Sequence, residues 1–284
     1  MENASHSVIG RFAPTPSGAM HFGSLIAALG SYISAKSRGG KWLVRMEDID
    51  QARTIKGADA EILRQLEACA LIWDGEILYQ SKRIEAYREA IVSLGDLVYP
   101  CRCSRADLLA FGGVHPPVCL AKNGGANAAL RLRVTDETIE FNDRLCGRLC
   151  QNLRKDVGDF VLFNANNEPT YQLAVVIDDE FSGITEIVRG RDLLDSTPRQ
   201  IYLRRALSYS SPSYAHLPLA IGLDGAKLSK QNLAKAIGVD NASQTLVAAL
   251  IFLGFSPPKK LAKAPPSAVI EWALSERSGG ARFF

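Results

Sequence analysis

Residues 11–24 read RFAPTPSGAMHFGS, and the way this stretch folds decides the rest of the chain. Val8, Ile9 and Phe12 supply a strand signal. Pro14, Pro16 and Gly18 punctuate a turn, and Gly23-Ser24 lets backbone approach a ligand just before an apolar helix over 25–35. A strand that turns into a helix offers unpaired N–H groups and the positive end of a dipole, a site suited to phosphate. His21 adds a donor beside it. The plain alternative is a capped polar turn, so a partner motif elsewhere has to decide.

Outward from this stretch, Lys41–Met46 (KWLVRM) reads as a buried strand that ends in Glu47-Asp48-Ile49-Asp50. Ligands of an open parallel sheet bind beyond the carboxyl ends of its strands. The carboxylates at this strand end are therefore well placed to bind something, the plain alternative being a helix-capping Asp50 and a solvated Asp48. Residues 58–70 and 83–94 carry amphipathic helical patterns, with strand-like Leu78-Tyr79-Gln80-Ser81 between them. Together these predict an α/β fold, the first half of a Rossmann-like doubly wound parallel sheet over 1–98.

The pattern changes at Tyr99-Pro100. Residues 101–119 read CRCSRADLLAFGGVHPPVC, in which Cys101, Cys103, His115 and Cys119 can close a tetrahedral, structural zinc site. This insertion is expected over 99–168, with strands near 130–134 and 159–163 forming a small sheet that faces nucleic acid. Asn123-Gly124-Gly125 reads as a mobile loop. Cys69 falls on a helical core pattern, and the spacing of Cys146 and Cys150 places both on one helix face.

The second half of the sheet is expected over 169–240. Thr170–Asp178 reads as a buried strand through Leu173, Val175, Val176 and Ile177. Ile187–Asp192 holds a strand end, and Thr197-Pro198 opens a helix. After His216-Leu217-Pro218-Leu219 comes Lys227-Leu228-Ser229-Lys230-Gln231, where two lysines around a serine can clamp a polyphosphate. A small helical region, with helices near 242–253 and 267–275, fills 241–284.

With 284 residues, 47% hydrophobic and 22% charged, the chain can form a large α/β domain plus an insertion. A net charge of +3 permits RNA contact only through a local patch, for which Arg199, Arg204, Arg205, Lys259, Lys260 and Lys263 are candidates. No apolar run reaches membrane-spanning length, and residues 1–10 show no export signal. The six cysteines read as thiols or metal ligands rather than disulfides. A cytoplasmic monomer is the expectation.

HFGS and KLSKQ resemble the HIGH and KMSKS signatures of class I aminoacyl-tRNA synthetases. The blocks RFAPTPSGAMHFGSL, VRMEDID, PTYQLAVVIDDEFSGITEIVRGRDLLDSTPRQIYL and HLPL look like the glutamyl/glutaminyl branch of that class. The resemblance implies His21 and Lys230 as catalytic residues. It places ATP, with Mg²⁺ on its phosphates, against His21, Gly23, Ser24, Lys227, Ser229 and Lys230. It places glutamate against Arg11, Phe12, Ala13, Pro14, Thr15, Glu47, Tyr171 and Arg189. Arg11 offers a fork matched to a carboxylate, and Glu47 is a natural ammonium partner.

Within that branch, a short group without the anticodon-binding domain is similar in its insertion, which carries Cys-x-Cys, then a tyrosine, then a cysteine. Here His115 holds the tyrosine position, a mild change because imidazole is a commoner zinc ligand than phenolate. Only 53 residues follow Gln231, which suits the short group. Similarity to it implies ATP-dependent activation of L-glutamate without tRNA, then transfer to the cyclopentenediol of queuosine at the wobble position of tRNA(Asp). A compact enzyme charging the 3′ end of tRNA(Glu), and a non-catalytic tRNA- or nucleotide-binding paralogue, would share many of these motifs.

Overall fold

A computed structural model describes residues 7–116, 127–219 and 238–276. Cys119, the loop at 123–125 and the KLSKQ segment with Lys227, Ser229 and Lys230 lie outside the described residues.

In chain order, β1 (Ile9–Phe12) runs through the Pro/Gly turn into α1 (Phe22–Lys36), and β2 (Lys41–Met46) follows. Then come α2 (Ala58–Ala68), β3 (Leu78–Tyr79), α3 (Ile84–Leu94), β4 (Val98–Cys101) and the short α4 (Arg105–Leu109). β5 (Ala129–Leu132), β6 (Thr138–Asp143), β7 (Gly147–Asn152), α5 (Leu153–Asp156) and β8 (Phe160–Phe163) make the middle of the chain. The remainder is α6 (Tyr171–Phe181), β9 (Glu186–Gly190), α7 (Thr197–Ala206), β10 (Ser213–Leu217), α8 (Ala242–Phe252) and α9 (Pro266–Glu276).

These elements form two compact units, one of residues 1–79, 184–194 and 212–284, the other of 80–183 and 195–211. In the first unit β1, β2 and β3 pair in parallel, as do β9 and β10. β9 is tied to the start of β1, where the Thr185 N–H donates to the Ile9 carbonyl (3.0 Å) and the Ile9 N–H to Thr185 Oγ1 (2.9 Å). β9 thus lies beside β1 without a strand ladder between them, and the chain, having run from β1 through β2 to β3, reverses to continue with β9 and β10. That reversal is the topological switch point at which open α/β sheets bind ligands.

The hydrophobic stripe of α1 (Leu25, Leu29, Ile33) is fully buried. Trp42 of β2 stacks on Phe12 (6.3 Å) and meets the edge of Tyr32 (5.1 Å), with its Nε1–H on Ser31 Oγ (2.9 Å). Gly30 lets α1 come this close, because a Cβ there would strike the Leu217 side chain of β10.

In the second unit β4, β5 and β8 form an antiparallel sheet, and β6 and β7 a hairpin. Its helices are pinned by Asp178, a fully buried carboxylate that accepts from Gln80 Nε2 (2.8 Å), Arg83 Nε (2.6 Å) and the Tyr87 hydroxyl (2.7 Å). The expected strands near 130 and 160 are present as β5 and β8.

Three expectations are corrected. Residues 170–178 are not a strand: they belong to α6, which starts after Thr170 and buries every residue from Leu173 to Asp179. A continuous apolar run suits a buried helix as well as a buried strand, and the uninterrupted run to Phe181, without Gly or Pro, is of helical length. Cys146 and Cys150 do not share a helix. Asp143 Oδ1 accepts the N–H groups of Leu145 and Cys146 (2.9 Å each) and Gly147 takes φ 78°, so the chain turns there and Cys150 lies on β7. Arg204 is not a surface charge but is buried, bonded to Glu180 (3.0 Å) and to the Ser210 carbonyl (2.7 Å).

Candidate active site and metal cluster

In the first unit, His21 is the N-cap of α1, and its Nδ1 accepts the Ser24 N–H at 3.3 Å. This bond puts the ring proton on Nε2, so the imidazole serves as a donor. No acidic side chain sits in the first turn of α1. The positive end of the helix dipole is therefore left for an outside anion. The turn before it is fixed by its neighbours: the Met20 N–H donates to the buried Gln65 Oε1 (2.7 Å) and the Ile55 N–H to the Pro16 carbonyl (2.9 Å).

The carboxyl ends of the parallel strands collect charge. Arg11 is buried at the end of β1, and Glu47 follows β2 with its N–H on the Pro14 carbonyl (2.9 Å), which locks it beside Pro14 and Thr15. Arg45 Nη2 reaches Glu47 Oε1 at 3.2 Å, an ion pair buried at the sheet end. Arg189, near the end of β9, donates from Nε to His216 Nε2 (3.0 Å), and its guanidinium lies 5.9 Å from the centre of the Tyr214 ring. Two guanidiniums and a carboxylate on neighbouring strand ends are what an amino acid with an anionic side chain requires. The Phe12 side chain, by contrast, is part of the core against Trp42. Tyr171 opens α6 in the second unit and is half-buried.

The second unit holds a different constellation. Ligand atoms of Cys101, Cys103 and His115 all lie within 4.8 Å of one another, with Cys101 Sγ and His115 Nε2 3.3 Å apart. Arg131 Nε and the Cys103 N–H donate to Cys101 Sγ (3.2 and 3.3 Å). On the far side of the imidazole, Nδ1 lies 3.4 Å from the Tyr99 hydroxyl and 3.8 Å from Asp159 Oδ2, and Tyr99 donates to that same oxygen at 2.6 Å. Asp159 is itself fully buried and accepts from the Val134 N–H (2.8 Å) and Arg154 Nη1 (3.3 Å). Burial, with Arg131 nearby, pushes the His115 pKa down from its ordinary value although Asp159 opposes it. Two sulfurs and an imidazole backed by a carboxylate form a group able to hold a metal ion.

Gly158 makes the approach possible. It takes φ 72°, and a Cβ there would collide with the backbone of His115.

Sequence reasoning missed Arg45, His216, Tyr99, Arg131 and Asp159. His216 stood inside the HLPL block, and Arg45 inside VRMEDID, where each could have been singled out. Tyr99, Arg131 and Asp159 are brought to His115 from three strands and adjoining turns, and no local pattern announces that meeting.

The family model of class I tRNA synthetases (E and Q), catalytic domain, matches residues 7–109 and 120–267, and the chain belongs to that family. Within it, similar chains are the glutamyl-Q tRNA(Asp) synthetases of Dechloromonas aromatica, 50% identical over 93% of this chain and 92% of that protein, and of Pseudomonas paraeruginosa, 46% identical over 95% and 93%. Among solved structures, a glutamate tRNA ligase from Elizabethkingia meningosepticum in complex with its amino acid shares the fold, with a TM-score of 0.76 at 24% identity over 98% of this chain and 67% of that one. Among the described residues no helix is long and apolar enough to cross a membrane.

Proposed function

We propose that this chain activates L-glutamate with ATP, without tRNA, and transfers the glutamyl group to the queuosine cyclopentenediol at the wobble position of tRNA(Asp). The names of relatives at 46–50% identity support this reading. The observation that carries the chemistry is the arrangement at the switch point: a donor-capped helix start for phosphates beside strand ends bearing Arg11, Glu47 and Arg189.

In the first step a glutamate carboxylate oxygen attacks the α-phosphorus of ATP and pyrophosphate leaves, giving glutamyl adenylate. A hydroxyl of the cyclopentenediol then attacks the activated carbonyl, and AMP departs with the bonding electron pair. Positioning and charge stabilisation account for most of such catalysis. His21 Nε2–H and the first N–H groups of α1, with Gly23 and Ser24, serve the phosphates. Lys227, Ser229 and Lys230 complete that clamp, and Mg²⁺ accompanies ATP by sharing the charge of its phosphates. Arg11 and Arg189 hold carboxylates, and Glu47 holds the ammonium.

Zn²⁺ held by Cys101, Cys103, His115 and Cys119 would supply structural closure of the 99–168 insertion rather than chemistry. A cytoplasmic monomer fits this role.

The test supplies labelled glutamate, ATP and Mg²⁺ with queuosine-containing tRNA(Asp), the same tRNA carrying guanosine, and tRNA(Glu). Label on the queuosine form alone supports the proposal. Label on the 3′ end of tRNA(Glu) makes the chain a compact decoding enzyme instead.

A further inference from the structure

The second unit contains a cavity of about 450 Å³ that the proposed reaction does not use. It opens beside the Cys/His cluster, and Phe160, Val157 and Leu108 give it an apolar wall, with Gln151 and Arg199 contributing polar groups. Two of those polar atoms are buried without a hydrogen-bond partner, Nε of Arg199 and Oε1 of Gln151. Buried polar atoms are normally satisfied, so a donor and an acceptor left over in one cavity call for a ligand that offers the complementary pair. Burial also lowers the Arg199 pKa, with Asp195 opposing, as expected of a guanidinium short of counter-charge.

The lining disfavours a simple anion, since its three carboxylates outnumber the guanidiniums of Arg131 and Arg199. Asp156, Asp159 and Asp195 border the same cavity and would repel a bare phosphate. A flat, neutral ring with an acceptor next to a donor on its edge meets both requirements. We propose that this cavity receives an unpaired nucleobase of the RNA substrate, its acceptor taken by Arg199 and its N–H by Gln151. The volume lies within the ordinary range of small-ligand sites. RNA is read in this way, through splayed bases in apolar slots whose edges meet arginine and amide side chains. The inference rests on the reading of the chain as an RNA-directed enzyme, and it adds an RNA-reading point in the second unit.

The probe is guanosine 5′-monophosphate, which carries an O6 acceptor beside an N1–H donor. It is titrated into the full, metal-loaded chain with glutamate and a non-hydrolysable ATP analogue held saturating, so that the nucleotide site of the first unit is filled. Ribose 5-phosphate is the control. The nucleotide should bind and the control should not, and Arg199→Met and Gln151→Leu should each weaken binding about tenfold. Gln151→Glu, which keeps the acceptor, should retain it. Melting temperature, zinc content and glutamate-dependent ATP–pyrophosphate exchange should stay at the wild-type level in all three variants.

Equal binding of ribose 5-phosphate, unchanged affinity in both truncating variants, or no nucleotide binding at all would overturn the inference, the last meaning that the cavity holds water only. Exchange by the wild-type chain is read separately, so loss of the glutamate-activating reading would be visible on its own.

Discussion

The strand ends of the first unit and the Cys/His cluster of the second both bury charged side chains, but they use them differently. In the cluster, polar groups point at one another: Asp159 accepts from Tyr99, Val134 and Arg154, and Arg131 serves Cys101 and the Asp159 carbonyl. At the strand ends the charged groups are paired too, Arg45 with Glu47 and Arg189 with His216, but they stand where parallel strands end, the place at which open α/β sheets bind ligands. The first pattern is self-contained and stabilises a fold. The second is where we propose that an amino acid and a polyphosphate bind, and this contrast gives the variants at the two sites opposite expected signatures.

The largest expected effect is on rate. His21→Ala should lower glutamate-dependent ATP–pyrophosphate exchange about a hundredfold or more, the loss of ~3 kcal/mol of transition-state stabilisation. The same change removes the cap of α1 and should cost ~1 kcal/mol of stability in a denaturant melt. His21→Asn separates the two roles: the cap should return while exchange stays low. Recovery of exchange in that variant would show that His21 acts only as a cap.

The other site should lose stability without losing chemistry. Gly158→Ala forces a Cβ into the His115 backbone at a positive φ, and a destabilisation of about 2–4 kcal/mol is expected in the same melt. Asp159→Asn should weaken zinc retention by about 10–100-fold in competition with a chelator, because the orienting partner of the imidazole is altered. A metal affinity equal to wild type would separate Asp159 from the metal site.

The smallest effect sharpens the comparison on the first unit's own scaffold. Burial opposes ionisation of Asp74, but Lys36 (2.7 and 2.8 Å) and the Trp42 N–H (2.6 Å) outweigh it and hold the carboxyl below its ordinary pKa. A depressed folded-state pKa contributes stability above the unfolded value, and that contribution is lost as pH falls through the folded one. Asp74→Asn should therefore cost ~1 kcal/mol near neutral pH, a modest figure because the pair is partly solvated. The difference from wild type should fade below about pH 4. In the opposite direction, burial pushes the Cys69 thiol to about 11, so it should resist alkylation in the native chain at pH 8.

How much of this was legible follows from how local each signal is. KWLVRM named β2 to the residue, since an apolar run flanked by Gly39-Gly40 and by acidic residues has one reading. The strand-turn-helix stretch was legible for the same reason, because its residues act within a few positions of each other, whereas the C-x-C…H pattern was legible from residue type, since thiols and an imidazole in one short insertion suit a common metal ion. α6 was misread because its buried face was so wide that Leu173 to Ile177 lost helical alternation. Asp178 buried in a polar knot with Gln80, Arg83 and Tyr87 is equally invisible in one sequence, since its partners come from nearly a hundred residues away. Arg204 looked like surface because nothing in the sequence reveals that Glu180 and the Ser210 carbonyl wait for it.

The most direct test of the central claim, that the strand ends of the first unit activate glutamate, is ATP–pyrophosphate exchange by the purified chain with no RNA present. Exchange that requires glutamate, is not supported by aspartate, and collapses in Glu47→Ala while the chain stays folded, though with a lower melting temperature because Arg45 loses its buried partner, is the predicted result. An exchange rate in Glu47→Ala equal to wild type, or no exchange by the wild-type chain with any amino acid, would contradict it.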